Sequence, residues 1–252
     1  MLSKSKIKFI TALARKKNRD EEGLFLAEGT KLVSDLSNGL TCVLLCATRE
    51  WLDENSRIGA DEIIEITQEE LKKISNQQSP QGVIAVFEKP VYSWNVNEIS
   101  NQLSLLLDDI QDPGNLGTII RVADWFGINN IFCSKNTADV YNPKTVQATM
   151  GALAHVKTHV VDVSDFLNTV TQKEIPVYGT FLDGENIYQH ELAASGIIVM
   201  GNEGNGISKS VENRVTHKLL IPNYPVGEET SESLNVGIAT ALVCAEFRRR
   251  LI

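Results

Sequence analysis

Arg121 follows Gly117 by four residues in a segment of helical period, so the two share a face away from the apolar stripe of Leu116, Ile119, Ile120, Ala123 and Phe126. A guanidinium beside a glycine leaves room for an anion, and phosphate suits its planar fork, although an ordinary surface arginine has the same spacing. Downstream, Gly201-Asn202-Glu203-Gly204-Asn205-Gly206 follows the apolar run Ile197 to Met200. Glycines at a strand end let backbone approach a ligand closely. This turn lacks the Lys-Ser/Thr ending of a phosphate-gripping loop, and its glycine order reverses the dinucleotide fingerprint, so kinase and dehydrogenase chemistry are disfavoured. A third polar group, Ser233 and Asn235, opens the last helix.

These groups need a frame that gathers strand ends. Leu103 to Leu107, Asn130 to Ser134, Val156 to Val161, Val177 to Phe181, Ile197 to Met200 and Lys218 to Ile221 are apolar runs of strand length with helical segments between them. That alternation predicts a mainly parallel sheet, with ligands held at the strand ends. Asn115 is the expected N-cap of the first helix and Gly127 its closing glycine. In the last helix, Leu234, Ile238, Ala241, Leu242 and Ala245 are expected to form a buried stripe, with Gly237 and Ala241 allowing close packing on a neighbouring element or a second subunit. Arg248, Arg249 and Arg250 complement its negative end.

The first ninety or so residues read as a smaller α/β unit. A helix over residues 3 to 17 carries Ile7, Ile10, Leu13 and Ala14 on one face. The run Gly23 to Gly29 reads as a strand entering a tight turn, further strands are expected at 42–46, 62–66 and 83–87, and Thr67 with Glu70 forms a capping box. Domains are therefore expected at 1–92 and 103–252, joined by a linker at 93–102.

The net charge of −8 opposes nucleic-acid binding as a sum, but its distribution does not. Residues 1–19 carry +7 and no acid, leaving −15 for the rest. Screening makes such a local patch count more than the total. Arg15, Lys16, Lys17 and Arg19 are the candidate RNA contacts, against the plainer reading of a solvated helix face. The four cysteines, Cys42, Cys46, Cys133 and Cys244, lie in apolar segments, and neither they nor the four histidines have metal-ligand spacing, so reduced buried thiols and no metal are expected. No apolar run reaches membrane-spanning length and no signal peptide is evident, which points to the cytoplasm.

Three motifs in order resemble those of the SpoU/TrmH family of RNA ribose 2′-O-methyltransferases, within the SPOUT superfamily: Asn115-x-Gly117-x-x-x-Arg121-x-Ala123, then Gly201-Asn202-Glu203-Gly204-x-Gly206, then Ile221-Pro222 with Ser233-Leu234-Asn235-Val236. Residues 19–29 and 79–83 are similar to the ribosomal-protein-like substrate-binding domain that precedes the catalytic domain in many rRNA-modifying members. The resemblance implies an α/β-knot fold in the second half, a deep trefoil knot with a mainly parallel sheet flanked by helices, and a homodimer through that half. It implies S-adenosylmethionine bound among three segments: Thr180 and Phe181 with the loop after them, Gly201, Asn202 and Gly206 of the glycine turn, and Ile221, Pro222 and Leu234. Arg121 would be the general base, or a charged anchor for an RNA phosphate. Asn235 and Ser233 would orient Arg121 or the ribose, Glu203 would fix the loops, and Asn115 fills the remaining polar position. Ribosomal RNA is the expected substrate; transfer RNA, or a non-catalytic RNA-binding role, are the alternatives. The chain departs from the family in the long acidic segment Asn223 to Glu232, and in Gly237, where a small hydroxylic residue is frequent.

Overall fold

The computed structural model describes residues 2–225 and 233–251. The chain divides into two units, one running to Val91 and taking in Asp139–His155, the other formed by Tyr92–Ala138 and the chain from Val156 onward. The segment Asp139–His155, expected in the second domain, thus packs with the first.

In the first unit, helices α1 (Lys4–Ala12) and α2 (Lys16–Glu22) precede β1 (Leu24–Glu28), α3 (Thr30–Ser37), β2 (Cys42–Ala47), α4 (Arg49–Glu54), β3 (Glu62–Glu65), α5 (Gln68–Ile74) and β4 (Val83–Glu88). The sheet order is β1-β4-β2-β3, antiparallel except for β2 beside β3. Ile10, Leu13, Leu26, Leu44, Leu71, Ile84 and Val86 are buried together as its core. Thr67 and Glu70 form the expected capping box.

The single helix expected over 3–17 is two helices, and Arg19 explains the break. Its Nη1 donates to the carbonyls of Leu13 and Ala14, each at 2.8 Å, and its Nη2 pairs with Asp139 at 2.5 Å. Arg19 is 1% exposed, so it is a structural residue rather than an RNA contact. Arg15, Lys16 and Lys17 beside it are exposed.

The second unit contains α6 (Val96–Ile99), β5 (Leu103–Asp108), α7 (Pro113–Trp125), β6 (Asn130–Cys133), β7 (Lys157–Val160), α9 (Val163–Gln172), β8 (Val177–Asn186), β9 (Gly196–Gly201), α10 (Lys209–Glu212), β10 (His217–Leu220) and α11 (Val236–Arg249); α8 (Pro143–Thr149) and a short 3-10 turn (Ala152–Ala154) lie in the inserted segment of the first. Its six strands run in the order β10-β8-β9-β5-β6-β7, every neighbouring pair parallel. The chain builds outward from β5 through β6 to β7, then returns to the other side of β5. The switch point is therefore between β5 and β9, where the crevice at the carboxyl ends of strands takes ligands in open α/β sheets.

On α11 the buried positions are Val236, Gly237, Thr240, Val243, Cys244, Glu246 and Phe247. The stripe expected to be buried is turned outward: Leu234, Ile238 and Leu242 are exposed and Ala241 and Ala245 half-buried. Arg248 donates from Nε to the Phe126 carbonyl at 2.7 Å and from Nη2 to that of Gly127 at 3.1 Å, so it caps the end of α7. The four cysteines are free and buried, with burial pushing the thiols of Cys46, Cys133 and Cys244 up to about 12. Among the described residues there is no metal-binding cluster of His, Cys, Asp or Glu, and no helix long and apolar enough to cross a membrane.

Candidate active site

Helix α7 starts one turn earlier than expected. Asp112, not Asn115, is its N-cap, accepting from the Asn115 amide at 2.9 Å, with Pro113 at the first helical position. The Asp-Pro pair carries this signal, because proline lacks the amide that a first-turn residue leaves unpaired anyway. Leu116, Ile119, Ile120 and Ala123 are fully buried and seat the helix. With its cap duty removed, the Asn115 side chain is available for other contacts.

Those contacts join three segments far apart in sequence. Glu203, in the glycine turn after β9, accepts from the Asn115 side-chain amide at 3.0 Å and from the backbone amides of Gln111 and Asp112, each at 3.1 Å. Asn115 Oδ1 in turn accepts from Asn235 Nδ2 at 2.9 Å. Asn235 is the N-cap of α11, its Oδ1 accepting from the amides of Gly237 and Ile238. Burial alone would raise the Glu203 pKa, but the hydrogen bonds from Asn115, Gln111 and Asp112 outweigh it and hold the carboxyl below its ordinary value. The close approach of α11 to α7 depends on Gly237, where a Cβ would lie 3.0 Å from Thr118 Cγ2.

The glycine turn is built to hold its own shape. Asn202 and Gly206 exchange backbone hydrogen bonds of 2.9 Å, and Asn202 Oδ1 accepts from the amides of Gly204 and Asn205. Its Nδ2 donates to the Asp109 carbonyl at 2.8 Å, tying the turn to the end of β5. A Cβ at Gly201 would stand 2.3 Å from the Gly206 carbonyl carbon, so only glycine lets the two ends close. Asp109 itself holds a left-handed φ of 61°, a strained position the sequence did not disclose.

Thr180 and Phe181 do not end a strand as expected. Strand β8 continues to Asn186, but its pairing to β10 jumps: Gly179 faces Lys218 and Glu185 faces the adjacent Leu219. Residues 180–184 therefore leave the ladder between these two pairs. Ile221 and Pro222 follow β10 and are half-buried. Ser233 and Leu234 are exposed. Residues 226–232, most of the acidic segment in which the chain departs from its family, lie outside the described residues.

Arg121 is exposed on α7 and makes no hydrogen bond or ion pair among the described residues, while Gly117 one turn earlier is buried. Asn235 and Ser233 do not orient it here; Asn235 holds Asn115 instead. The geometry thus brings Asn115, Glu203 and Asn235 into one hydrogen-bonded relay and leaves a free guanidinium farther along the same helix. The residues expected at the cofactor, Thr180, Phe181, Gly201, Asn202, Gly206, Ile221, Pro222 and Leu234, are glycines and neutral side chains, a set whose chemistry suits an adenosyl group better than a phosphate.

The carboxyl ends of β5 and β9, at the switch point of the sheet, thus carry a glycine turn held by a carboxylate-amide relay, the place where open α/β sheets take ligands. Residues 102–245 match the SpoU rRNA Methylase family, and the chain belongs to it; residues 4–85 match the MRM3-like substrate binding domain. The chain is 28% identical over 246 residues to the 23S rRNA (guanosine(2553)-2′-O)-methyltransferase RlmP of Bacillus subtilis, covering 96% of each. It is similar to the structure of a TrmH-family protein from Porphyromonas gingivalis, with 42% identity, 99% of each chain covered and a TM-score of 0.91. For the AdoMet-bound rRNA methyltransferase of Sinorhizobium meliloti the identity is 30%, the cover 100% of this chain and 98% of that one, and the TM-score 0.84.

Proposed function

We propose that this protein transfers the methyl group of S-adenosylmethionine to a ribose 2′-hydroxyl of ribosomal RNA, the S–CH3 bond breaking to leave S-adenosylhomocysteine and the hydroxyl proton passing to solvent. The relay from Glu203 through Asn115 to Asn235 carries the reading, because it fixes the glycine turn, the first turn of α7 and the cap of α11 as one body. Gly201, Asn202 and Gly206, the 180–184 segment with Thr180 and Phe181, and Ile221 and Pro222 would hold the cofactor, with Leu234 beside them. S-adenosylmethionine supplies an electrophilic methyl group. Arg121 anchors the RNA phosphate next to the target ribose and so aims the hydroxyl. Anchoring is favoured over proton abstraction because no described side chain lies within hydrogen-bond distance to draw a proton from the guanidinium. Ser233, exposed before the α11 cap, is left to contact the ribose.

The unit beginning at the N-terminus, with Arg15, Lys16 and Lys17 exposed, would read the RNA by shape and charge. The first unit, residues 1–91 with Asp139–His155, would be the substrate-binding one and the rest of the chain from Tyr92 the catalytic one, with the 93–102 segment part of the latter, since Ile99 lies in its core and Trp94 and Val96 pack against it. The knot is supported by the return of the chain from β10, at the sheet edge, to pack α11 against α7. The cytoplasm, where ribosomal RNA is made and modified in bacteria, is its expected place.

The outward stripe of α11 supports a homodimer. Ile238 is 56% exposed, Leu234 and Leu242 are exposed beside it, and Trp125 on α7 is 84% exposed. An exposed apolar stripe such as Leu234, Ile238 and Leu242, spaced by four, marks an interaction surface. Ile238→Arg is expected to convert a dimer to a monomer in analytical ultracentrifugation; an unchanged sedimentation coefficient would place the interface elsewhere.

The substrate is tested by mapping ribose methylation in RNA from a strain lacking the gene. One missing 2′-O-methyl group in ribosomal RNA is expected, restored by the purified protein. A gap in transfer RNA instead would move the substrate, and an unchanged map with no cofactor binding in calorimetry would leave an RNA-binding module.

A further inference from the structure

Five residues of β8, Thr180 to Gly184, project from the sheet between two consecutive residues of β10. A glycine stands at each end of the excursion, and at Gly184 the approach to backbone leaves no room for a side chain. A Cβ on Gly179 would meet Phe181 Cε2 at 2.6 Å, and one on Gly184 would meet the Leu219 backbone at 2.5 Å. The glycines permit the shape, but they do not hold it, since glycine is the least restrained of residues. The tip is bare: Leu182 is exposed and Asp183 lies beside it.

One side chain fastens the excursion. Lys218, at the foot on β10, places Nζ 4.7 Å from the centre of the Phe181 ring and 3.1 Å from Asp183 Oδ2, so it touches the residues on both sides of Leu182. The same ammonium donates to Glu212 Oε1 at 2.7 Å on α10, and Glu212 also accepts from Lys209 at 2.9 Å. All three contacts of the lysine are charge-based, and its side chain is about one third exposed, at 34%, so they are partly desolvated. The bonds to Glu212 and Asp183 raise the Lys218 pKa, and those from Lys218 and Lys209 lower that of Glu212, so the Lys218–Glu212 pair is charged throughout the neutral range. Among the described residues, no other hydrogen bond or ion pair made by the side chains of residues 180–184 crosses to another element. The lysine therefore sets which conformation the excursion keeps.

We propose that Lys218 is a positioning residue for the cofactor: by gripping Phe181 and Asp183 it holds segment 180–184 in the shape that receives S-adenosylmethionine, without touching the reacting atoms. This rests on the reading of Thr180 and Phe181 as cofactor-binding. A segment that is competent only part of the time binds with an affinity reduced by that fraction, while the bound complex turns over normally. Loss of Lys218 should then appear in binding rather than in the chemical step.

The test compares the full-length protein with Lys218→Met, Lys218→Arg and Asp183→Asn. Calorimetry with S-adenosylmethionine and steady-state methylation of ribosomal RNA are the readouts. Lys218→Met is expected to raise the cofactor Kd and KM by roughly tenfold, with kcat at saturating cofactor within about twofold. Lys218→Arg, which keeps the charge and can face the ring, should recover most of the affinity. Asp183→Asn, which leaves Glu212 and the strand pairing intact, should give a smaller rise of the same kind. Hydrogen exchange should quicken at residues 180–184 in Lys218→Met and Asp183→Asn. Unchanged Kd in both variants would overturn the proposal, as would a loss confined to kcat. If the wild-type protein itself binds no S-adenosylmethionine, it is the assignment of the cofactor segment that fails.

Discussion

Arg121→Ala is expected to slow methyl transfer by about 10²–10³-fold while leaving S-adenosylmethionine affinity within about twofold. The separation follows from where the residue sits. Arg121 is exposed on α7 and shares no hydrogen bond with the glycine turn, with Asn115 or with Asn235, so its removal leaves the relay intact. On the proposed anchoring role, what would be lost is a planar fork able to meet two phosphate oxygens at once and so fix the adjacent ribose in line with the methyl group. Arg121→Lys keeps the charge but not the fork, and should fall between, at roughly a tenfold loss. Single-turnover transfer of labelled methyl, with calorimetry on the same preparations, checks both numbers. Full activity in Arg121→Ala would remove the arginine from the reaction under either reading of its role.

The parallel sheet was legible because its signals are local. Each apolar run is short, is closed by polar or glycine residues, and alternates with a helical period, which is what a doubly covered strand requires. The relay was half legible. Asn115 and Asn235 stood out as polar residues at helix starts and Glu203 within the glycine turn, but Asn115 and Asn235 are 120 positions apart, and nothing in spacing says that their amides meet. The helix start at Asp112 was missed because Asn115 is itself a good cap; a capping residue followed by proline outranks it. On α11 the periodicity correctly found an apolar face but assigned it to the interior. A hydrophobic stripe states that something must cover it, and a second chain covers it as well as the same chain does. The excursion at 180–184 left only two glycines as a trace, because a register jump depends on the partner strand.

Arg19 is the sharpest case, and Arg19→Ala is expected to destabilise the first unit by about 3–5 kcal/mol. The residue lies in a run of seven cations without an acid, so its charge reads as part of a surface patch. Its partner is supplied from 120 positions away: Asp139 reaches Nη2, while the carbonyls of Leu13 and Ala14 at the end of α1 take Nη1. Removing the arginine leaves a largely buried carboxylate and two carbonyls without their donor, which costs more than the pair contributes on its own. Asp139→Asn should cost less, since the amide oxygen still accepts, and the double variant should be less destabilised than the sum of the singles because the two side chains serve one contact. Urea denaturation measures all three. The neighbours provide the contrast: Lys16→Ala and Lys17→Ala should shift stability by no more than about 0.5 kcal/mol, yet each should flatten the salt dependence of RNA binding. An Arg19→Ala protein with an unchanged midpoint and weakened RNA binding would return the residue to the surface patch.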